Sequence, residues 1–171
     1  IDVTALLPHP HNPRIEPRED IIEQIAQRIA SGFEPSHALI VRPSPEGYQI
    51  ISGHHRVKAA ERATLPTVPC WVREMSDEDA YMQLVLCNTQ SELHALEEGK
   101  HAAESGMDLK AYAEAAGKAH STLFKKVAAW RVLSGCDFHV EIADIRDQWR
   151  NLAEIHAAPE WLWSALVSEM I

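Results

Sequence analysis

Apolar residues follow two different spacings along this chain of 171 residues. In the first half they form short runs rich in β-branched residues, and the turn-forming segment 43–47 separates two of these runs as in a hairpin. Other apolar residues recur with the spacing of helices that bury one face. The pattern predicts strands at residues 2–7, 38–42, 48–51 and 67–73, and helices at residues 19–31, 54–63 and 77–86.

From Ser91 onward the spacing is helical throughout, and Pro159 suits the first turn of the last helix. The change in pattern puts a domain boundary between residues 88 and 106. We therefore expect an α+β protein in which a small mixed-sheet domain, residues 1–90, precedes an all-helical domain, residues 91–171. The helices of the second domain are expected at residues 93–104, 108–116, 120–133, 139–157 and 160–170.

The composition is that of an ordinary globular protein, with 46% hydrophobic and 24% charged residues. Three widely separated cysteines indicate neither a zinc ribbon nor a disulfide framework, and they suit a reducing compartment. No apolar run is long enough to span a membrane, and no leader opens the chain, so we expect a cytoplasmic protein without a membrane partner. A formal net charge of −9 argues at first against nucleic acid as a partner.

The segment most informative about function is 47–62, GYQIISGHHRVKAAER, in which a strand runs through Ser52 and Gly53 directly into a helix. Glycine permits a tight turn, the free N–H groups of the helix N-terminus attract anions, and Arg56 can bind phosphate oxygens. Alternatively, the glycine only turns the chain and Arg56 pairs with a surface acid such as Glu61. The other residues that can donate hydrogen bonds to an anion here are His54 and His55.

This stretch, continued as ATLPTVPCWVREM, resembles the signature region of the ParB family of chromosome- and plasmid-partition proteins. That family carries a Gly-Glu-Arg-Arg-x-Arg-Ala-Ala box between a strand and a helix. Residues 8–14 resemble its Asn-Pro-x-x-Pro-Arg loop, and LVLCNTQSELHALEEGKHAA resembles its Leu-Leu-Glu-Asn-x-Gln-Arg segment. The resemblance implies a fold of the ParB/sulfiredoxin type, whose amino-terminal domain binds the nucleotide CTP and so acts as a DNA-sliding clamp.

By this resemblance, the nucleotide-contacting positions are Arg14, Gly53, Arg56 and Asn88, with Ser52, His54 and His55 beside them. The chain also departs from the family, because His54 and His55 replace Glu-Arg in the box. Cys87 replaces the glutamate that would help to hold Mg²⁺, and Ser91 replaces a later arginine. A thiol is a poor Mg²⁺ ligand, so the resemblance implies CTP binding, with or without Mg²⁺, and leaves hydrolysis in question.

Residues 108–132 resemble the helix–turn–helix of the same family, with Gly117 at the turn. The second helix would present its first residues to the major groove of DNA, and neighbouring bases would contact phosphates. The expected groove contacts are His120, Ser121, Thr122 and Lys125, and the expected phosphate contacts are Lys118, Lys126 and Arg131. The alternative is a plain helical hairpin with a solvated basic face.

The distribution of charge changes the first conclusion from the net charge. Residues 1–75 carry a net charge of −1, and residues 76–171 carry −8. Between Glu114 and Asp137, however, the chain contains no acid and has a net charge of +4. We therefore expect DNA contact to be confined to one face and to weaken with added salt.

The leading interpretation is a nucleotide-regulated DNA-binding protein that acts in plasmid or chromosome partition, or in transcription regulation by a mobile element. The resemblance implies double-stranded DNA, a second copy of the chain and a partition ATPase as partners, at the bacterial nucleoid or on a plasmid.

Two other functions are open at this point. Some free-serine kinases use a Gly-His-His-Arg-like box, and Glu16 or Glu34 could supply the base for such a phosphotransferase. A scaffold that binds neither ligand could instead contact partners through Trp149, Trp161 and Trp163. The ten histidines lack metal-ligand spacing and are interpreted as scattered surface residues, so no metal site is predicted.

Overall fold

The computed structural model describes residues 1–88 and 93–171. The chain divides into two units, Ile1–Asn88 and Thr89–Ile171. Among the described residues, no helix has both the length and the apolar character that crossing a membrane requires.

The strands of the first unit are β1 (Leu6–Pro8), β2 (Leu39–Ser44), β3 (Gly47–Ser52) and β4 (Cys70–Val72). Within residues 1–88 they form one mixed sheet in the order β1-β3-β2-β4. The β2–β3 pair is the predicted antiparallel hairpin, whereas β1 joins β3 and β4 joins β2 in parallel. The mixed sheet of the expected α+β fold is thus confirmed.

The helices of this unit are α1 (Glu19–Ile29), α2 (His54–Arg62) and α3 (Asp77–Asn88). Helices α1 and α2 pack against each other, and α3 packs against β3. Burying each large aliphatic side chain contributes about 1.5–3 kcal/mol, so this packing fixes the start of α2 against the end of β3. The core shared by α1, α2 and the sheet includes Ile22, Ala26, Leu39, Val41, Ile50 and Val57.

The strand predicted at residues 2–7 begins later than expected. Val3–Ala5 form a short 3-10 helix, and β1 follows it. The backbone before β1 has partners outside the sheet, because the Val3 N–H donates to the Pro66 carbonyl at 3.0 Å. An apolar run alone does not distinguish this arrangement from a longer strand.

The helices of the second unit are α4 (Ala95–Glu104), α5 (Leu109–Ala115), α6 (His120–Ser134), α7 (Ile142–Ile145), α8 (Trp149–Ile155) and α9 (Trp163–Ser168). Helix α6 packs against α4, α5 and α8. It is apolar on several sides, as expected of a central helix. Its buried residues are Leu123, Val127, Ala128, Ala129, Val132 and Leu133.

Helices α4 and α6 come close together at Gly99. A Cβ atom at this position would lie 2.1 Å from the carbonyl oxygen of Lys126 and 3.2 Å from the backbone nitrogen of Val127. Both contacts are with backbone atoms, which cannot rotate away as a side chain can. The crossing of α4 and α6 therefore requires glycine at this position.

The single helix predicted over residues 139–157 is wrong. The chain forms α7, then a 3-10 turn at Arg146–Gln148, and then α8. Ile145 and Leu152 are fully buried, so the apolar spacing correctly marked the core without showing where the helical hydrogen bonding changes. Pro159 also lies just before a 3-10 turn at Glu160–Leu162, rather than inside the last helix.

Candidate functional site

The turn between β3 and α2 depends on Gly53. Its φ of +113° lies in the left-handed region, and a Cβ atom there would lie 2.9 Å from Cγ of Leu39. The Gly53 carbonyl accepts the N–H of Val57 at 3.0 Å, which starts the hydrogen bonding of α2. The residue before the helix is a glycine, so it offers no side-chain oxygen to the N–H groups of the first turn. The N-terminus of a helix that follows such a turn attracts anions.

The loop between β1 and α1, residues 9–18, is hydrogen-bonded to this turn at two points. The Nε2 atom of His54 accepts the backbone N–H of His9 at 3.4 Å. The Nε2 atom of His55 accepts the backbone N–H of Arg18 at 3.3 Å. Both histidines were expected to donate hydrogen bonds to a ligand. Their Nε2 atoms accept from the loop, so each ring carries its proton on Nδ1, and donation from that atom to a ligand stays a prediction.

Burial lowers the pKa of His54 from 6.5 to about 4, and the charges of neighbouring groups act in the same direction. The ring is therefore neutral near pH 7, as a ring that accepts a hydrogen bond at Nε2 must be. The hydrogen bond that His54 accepts and its lowered pKa thus both indicate a neutral ring.

His9 is a buried residue of the same loop, with 5% of its surface exposed. Its Nδ1 accepts the N–H of His11 at 3.1 Å, and burial lowers its pKa to about 4, so the neutral ring carries its proton on Nε2. That Nε2 atom is buried and has no hydrogen-bond partner among the described residues. The interpretation of the histidines as scattered surface residues is wrong here, and also at His101, which is 1% exposed. The position of His9 directly after β1 was the available signal.

Arg56 has a different environment from the one expected. Its guanidinium donates to the backbone carbonyls of His37 and Ala38 and, at 3.3 Å, to Oγ of Ser52. Burial lowers the pKa of Arg56, although the group stays charged. Arg56 and Ser52 thus connect the start of α2 to the segment before β2. Phosphate contact by Arg56 stays a prediction, since these bonds do not use every N–H donor of the guanidinium.

The remaining predicted nucleotide contacts lie on two other segments. Arg14 is half-buried in the β1–α1 loop, and its backbone N–H donates to Oδ1 of Asn12 at 3.3 Å. The side chain of Asn88 and the whole of Ser91 lie outside the described residues. The expected nucleotide contact at Asn88 stays a prediction.

Cys87 lies beside Ser52 near the end of α3. Burial raises the pKa of the Cys87 thiol, and a hydrogen bond with Ser52 opposes that shift only in part. A neutral thiol gives Mg²⁺ no oxygen ligand. The described residues also contain no group of three or more His, Cys, Asp or Glu side chains able to hold a metal ion. Cys87 therefore does not fit as a protein ligand of Mg²⁺.

Arg56 also lines a cavity of about 380 Å³. One of the two acids considered for a phosphotransferase, Glu34, lines it together with Arg56, and Glu16 does not. The other lining residues are Ile25, Arg28, Ile29, Gly32, Phe33 and His37.

In the second unit, α5 and α6 form the two helices of the predicted helix–turn–helix. Asp108 begins α5 by accepting the N–H groups of Lys110 and Ala111. At the turn, Gly117 donates to the Glu114 carbonyl and Lys118 to the Ala113 carbonyl, at 3.2 and 2.8 Å. This pair of bonds is a Schellman motif, which ends a helix at a glycine.

The first turns of α6 are exposed. The expected groove contacts His120, Ser121, Thr122 and Lys125 are all exposed, and so is Arg131 further along the helix. The structure therefore leaves these side chains accessible to a partner.

Lys118 and Lys126 lie differently, because both pair with Glu98 of α4. The distances from the lysine Nζ atoms to the carboxylate oxygens are 3.2 Å for Lys118 and 2.5 Å for Lys126. The side chains of Lys126 and Glu98 are only 16% and 12% exposed. Lys126 thus connects α6 to α4, and no local pattern could indicate this contact because its partner lies 28 residues away in the chain.

Sequence reasoning also missed Arg150. A cavity of about 330 Å³ between α6 and α8 is lined by Lys125 and Arg150, and the Arg150 guanidinium lies 4.7 Å from the ring centre of Trp149. Trp149 therefore contributes to this cavity, whereas Trp161 is 79% exposed and Trp163 is buried. The remaining lining residues are Ser121, Thr122, Ala153 and Glu154.

The chain is similar to known proteins over a range that includes both of its units. The chain is 30% identical over 129 residues to the chromosome-partitioning protein Spo0J of Thermus thermophilus. This alignment covers 72% of this chain and 47% of that protein. It is 35% identical over 103 residues to the stage 0 sporulation protein J of Bacillus subtilis, covering 58% and 36%. The chain spans about half of the length of the relatives that it matches, or less than half.

Among solved structures, the C-terminally truncated ParB of Caulobacter crescentus, complexed to the centromeric parS site, matches with a TM-score of 0.56 and 26% identity. The match covers 99% of this chain and 91% of that one. The same protein complexed with CTP-gamma-S gives a TM-score of 0.47 and 27% identity, which is too low to support a structural argument.

The model of the ParB N-terminal domain matches residues 1–89, which is more than half of the chain. This range contains the β1–α1 loop and the Gly53 turn. The resemblance seen in the sequence is confirmed, and the chain belongs to the ParB family.

Proposed function

We propose that this chain binds double-stranded DNA through α5 and α6, as a partition protein whose grip on DNA is controlled by a nucleotide at the Gly53 turn. The observation that carries the proposal is the exposed, acid-free start of α6, which follows a glycine turn in a chain of the ParB family.

The first residues of α6 have the chemistry of a groove-reading helix. His120, Ser121 and Thr122 offer donors and acceptors for base edges, and Lys125 adds a positive charge. Arg150 lines the same cavity as Lys125 and extends the basic surface onto α8. We assign Lys125, Arg131 and Arg150 to phosphate contacts, because each is exposed.

Lys118 and Lys126 have a first role within the unit. Their shared partner Glu98 neutralises part of their charge and holds α6 on α4. Their contribution to DNA binding is therefore to keep the basic helix in position, with phosphate contact by Lys118, which is 35% exposed, as a second role.

The proposed nucleotide is CTP, with its phosphates at the N-terminus of α2. The N–H groups of the first turn, the positive end of the helix dipole and Arg14 on the β1–α1 loop supply favourable charge. Cys87 supplies no oxygen ligand for Mg²⁺, so we propose binding without a metal ion held at this position and assign no residue to hydrolysis.

The relatives support the proposed biological setting. Several curated matches are chromosome-partitioning proteins, one is a probable plasmid-partitioning protein, and one matched crystal structure contains a ParB on its parS site. We propose that this chain acts on chromosomal or plasmid DNA in the cytoplasm, as two copies together, with a partition ATPase as partner.

The DNA proposal is tested by fluorescence anisotropy with a duplex that carries a parS site and with a scrambled duplex of the same composition. We expect affinity to fall with added salt and Lys125→Ala to weaken binding. Lys58→Ala is the control, because this substitution removes the same charge from an exposed residue on α2, in the other unit. Equal binding by wild type and Lys125→Ala at every salt concentration would contradict the assignment of α6.

The nucleotide proposal is tested by isothermal titration of the chain with CTP, with ATP as the comparison. We expect CTP to bind in the presence of a chelator, and Arg14→Ala to weaken binding while Lys110→Ala does not. A chain that binds no triphosphate, with or without Mg²⁺, would contradict the nucleotide part of the proposal and leave the DNA part standing.

One observation favours the phosphotransferase alternative, since Glu34 and Arg56 line one cavity large enough for a small molecule. Incubation with ATP or ADP and free serine, followed by mass spectrometry for phosphoserine, tests it. Phosphoserine that disappears in Glu34→Gln would support the alternative, and none with wild type would exclude it for these substrates.

A further inference from the structure

The two histidines of the turn perform the same task on one loop. His54 accepts the N–H of His9, and His55 accepts the N–H of Arg18, at 3.4 and 3.3 Å. These bonds join residues that lie 45 and 37 positions apart in the chain. The β1–α1 loop is therefore held at its beginning and at its end by two adjacent residues in the first turn of α2.

The loop also has bonds within it. The Asn12 N–H donates to the His9 carbonyl at 3.0 Å, and Oδ1 of Asn12 accepts the N–H of Arg14. The ring of His11 lies 5.4 Å from the ring of Tyr81 on α3. Between its two ends the loop thus has a defined conformation, and this conformation determines where Arg14 lies.

The acceptor role restricts which residues can stand at positions 54 and 55. Arginine and lysine have no acceptor, so neither could hold the loop in this way. A glutamine can, because its side-chain carbonyl accepts a hydrogen bond at a similar reach. The Glu-Arg pair of the family box would leave the Arg18 N–H without the acceptor that His55 provides.

The held loop also presents one unpaired buried donor. The proton on Nε2 of His9 faces no acceptor among the described residues, although the residue is more than nine-tenths buried. A buried donor without a partner destabilises the ligand-free protein, and an oxygen of a bound ligand would relieve that cost.

We propose that His54 and His55 are positioning residues that hold the β1–α1 loop against the N-terminus of α2, and that this holding sets the affinity of the turn for a nucleotide. The second half of the statement rests on the proposed function, whereas the first half concerns the ligand-free chain. Arg14 and His9 then act on the ligand from a loop whose position the two histidines determine.

Limited trypsin digestion of the ligand-free chain tests the first half. Cleavage after Arg14, followed by mass spectrometry, reports how often the loop opens. We expect His54→Ala and His55→Ala each to speed this cleavage by roughly 3- to 10-fold, the effect of one lost hydrogen bond. His54→Gln and His55→Gln should stay close to the wild-type rate, and Glu61→Ala, an exposed change on α2, is the control.

Titration of the same variants with CTP tests the second half. We expect the alanine variants to bind more weakly by a similar factor and the glutamine variants to recover affinity. Circular dichroism identifies any variant that fails to fold, and the glutamine variants keep the comparison informative in that case.

Each outcome of the two experiments supports or contradicts a stated part of the inference. Unchanged cleavage in both alanine variants would overturn the inference. Faster cleavage with unchanged CTP affinity would overturn its second half. Faster cleavage in a chain whose wild type binds no nucleotide would support the loop-holding role and overturn the nucleotide proposal itself.

Discussion

Two adjacent lysines of α6 give the sharpest test of how the helical unit works. Lys125 is exposed, whereas the side chain of Lys126 is 16% exposed and pairs with Glu98. Replacing each with alanine removes the same charge from the same turn of the helix. Because their surroundings differ, we expect the two variants to fail in different ways.

For Lys125→Ala we expect the dependence of log affinity on log salt to lose about 0.9, the contribution of one phosphate contact. The free energy of unfolding should change by no more than about 0.5 kcal/mol, as is usual for an exposed side chain.

For Lys126→Ala we expect a loss of stability. Glu98 is 12% exposed and would keep only Lys118, at 3.2 Å, as a partner. Leaving a mostly buried charge with a weaker partner costs about 1–3 kcal/mol, which corresponds to a fall in Tm of roughly 4–8 °C for each kcal/mol in a unit of this size. The salt dependence of DNA binding should stay close to that of wild type.

Thermal unfolding by circular dichroism and anisotropy titrations at several salt concentrations provide the two readouts. Glu98→Gln is the matched background, since Lys126→Ala should cost less stability there than in wild type. The reasoning is refuted if Lys126→Ala leaves Tm unchanged and lowers the salt dependence as much as Lys125→Ala does.

Three further predictions concern the fold around the sites. Gly99→Ala should lower stability by about 1–3 kcal/mol or more in denaturant unfolding, because its Cβ would overlap the Lys126 carbonyl; unchanged stability would contradict the close crossing. Gly53→Ala should weaken CTP binding and lower Tm, because the alanine would have to adopt a left-handed φ and its Cβ would overlap Leu39. A variant equal to wild type in both assays would contradict the requirement for glycine at this turn. The lowered pKa of His54 means that the unfolded chain takes up its proton first, so stability should fall as pH drops from 6.5 towards 4, and His54→Gln should reduce that dependence. An identical pH dependence in the variant would show that His54 contributes nothing to it.

The fold was predictable where local signals were strong. Short β-branched runs around a turn segment gave the hairpin, and the glycine at Gly53 marked the strand-to-helix turn. The helix predicted over residues 139–157 failed, because apolar spacing reports burial and is insensitive to a short 3-10 interruption.

The strand-to-helix turn was predictable in its location, and its contacts were not. Gly53 and the start of α2 lie where the sequence indicated, but the partners of His54, Arg56 and Lys126 are distant in sequence. Residue type alone suggested ligand donors at all three positions. The structure shows an acceptor, a backbone connection and an ion pair, because each side chain meets a group that only the folded chain brings near.

The net charge misled in a similar way. Its value of −9 sums acidic helices with an acid-free segment of +4 that ends before Asp137. Lys125 and Arg131 are exposed within that segment, which is consistent with the proposed DNA contact and makes the net charge a poor guide to it.

The central claim is that the exposed start of α6 binds DNA, and the salt dependence of anisotropy on a parS duplex tests it most directly. The account predicts binding that weakens steeply with salt and a slope reduced by about 0.9 in Lys125→Ala. Absence of binding at low salt, or a slope that Lys125→Ala leaves unchanged, would contradict it.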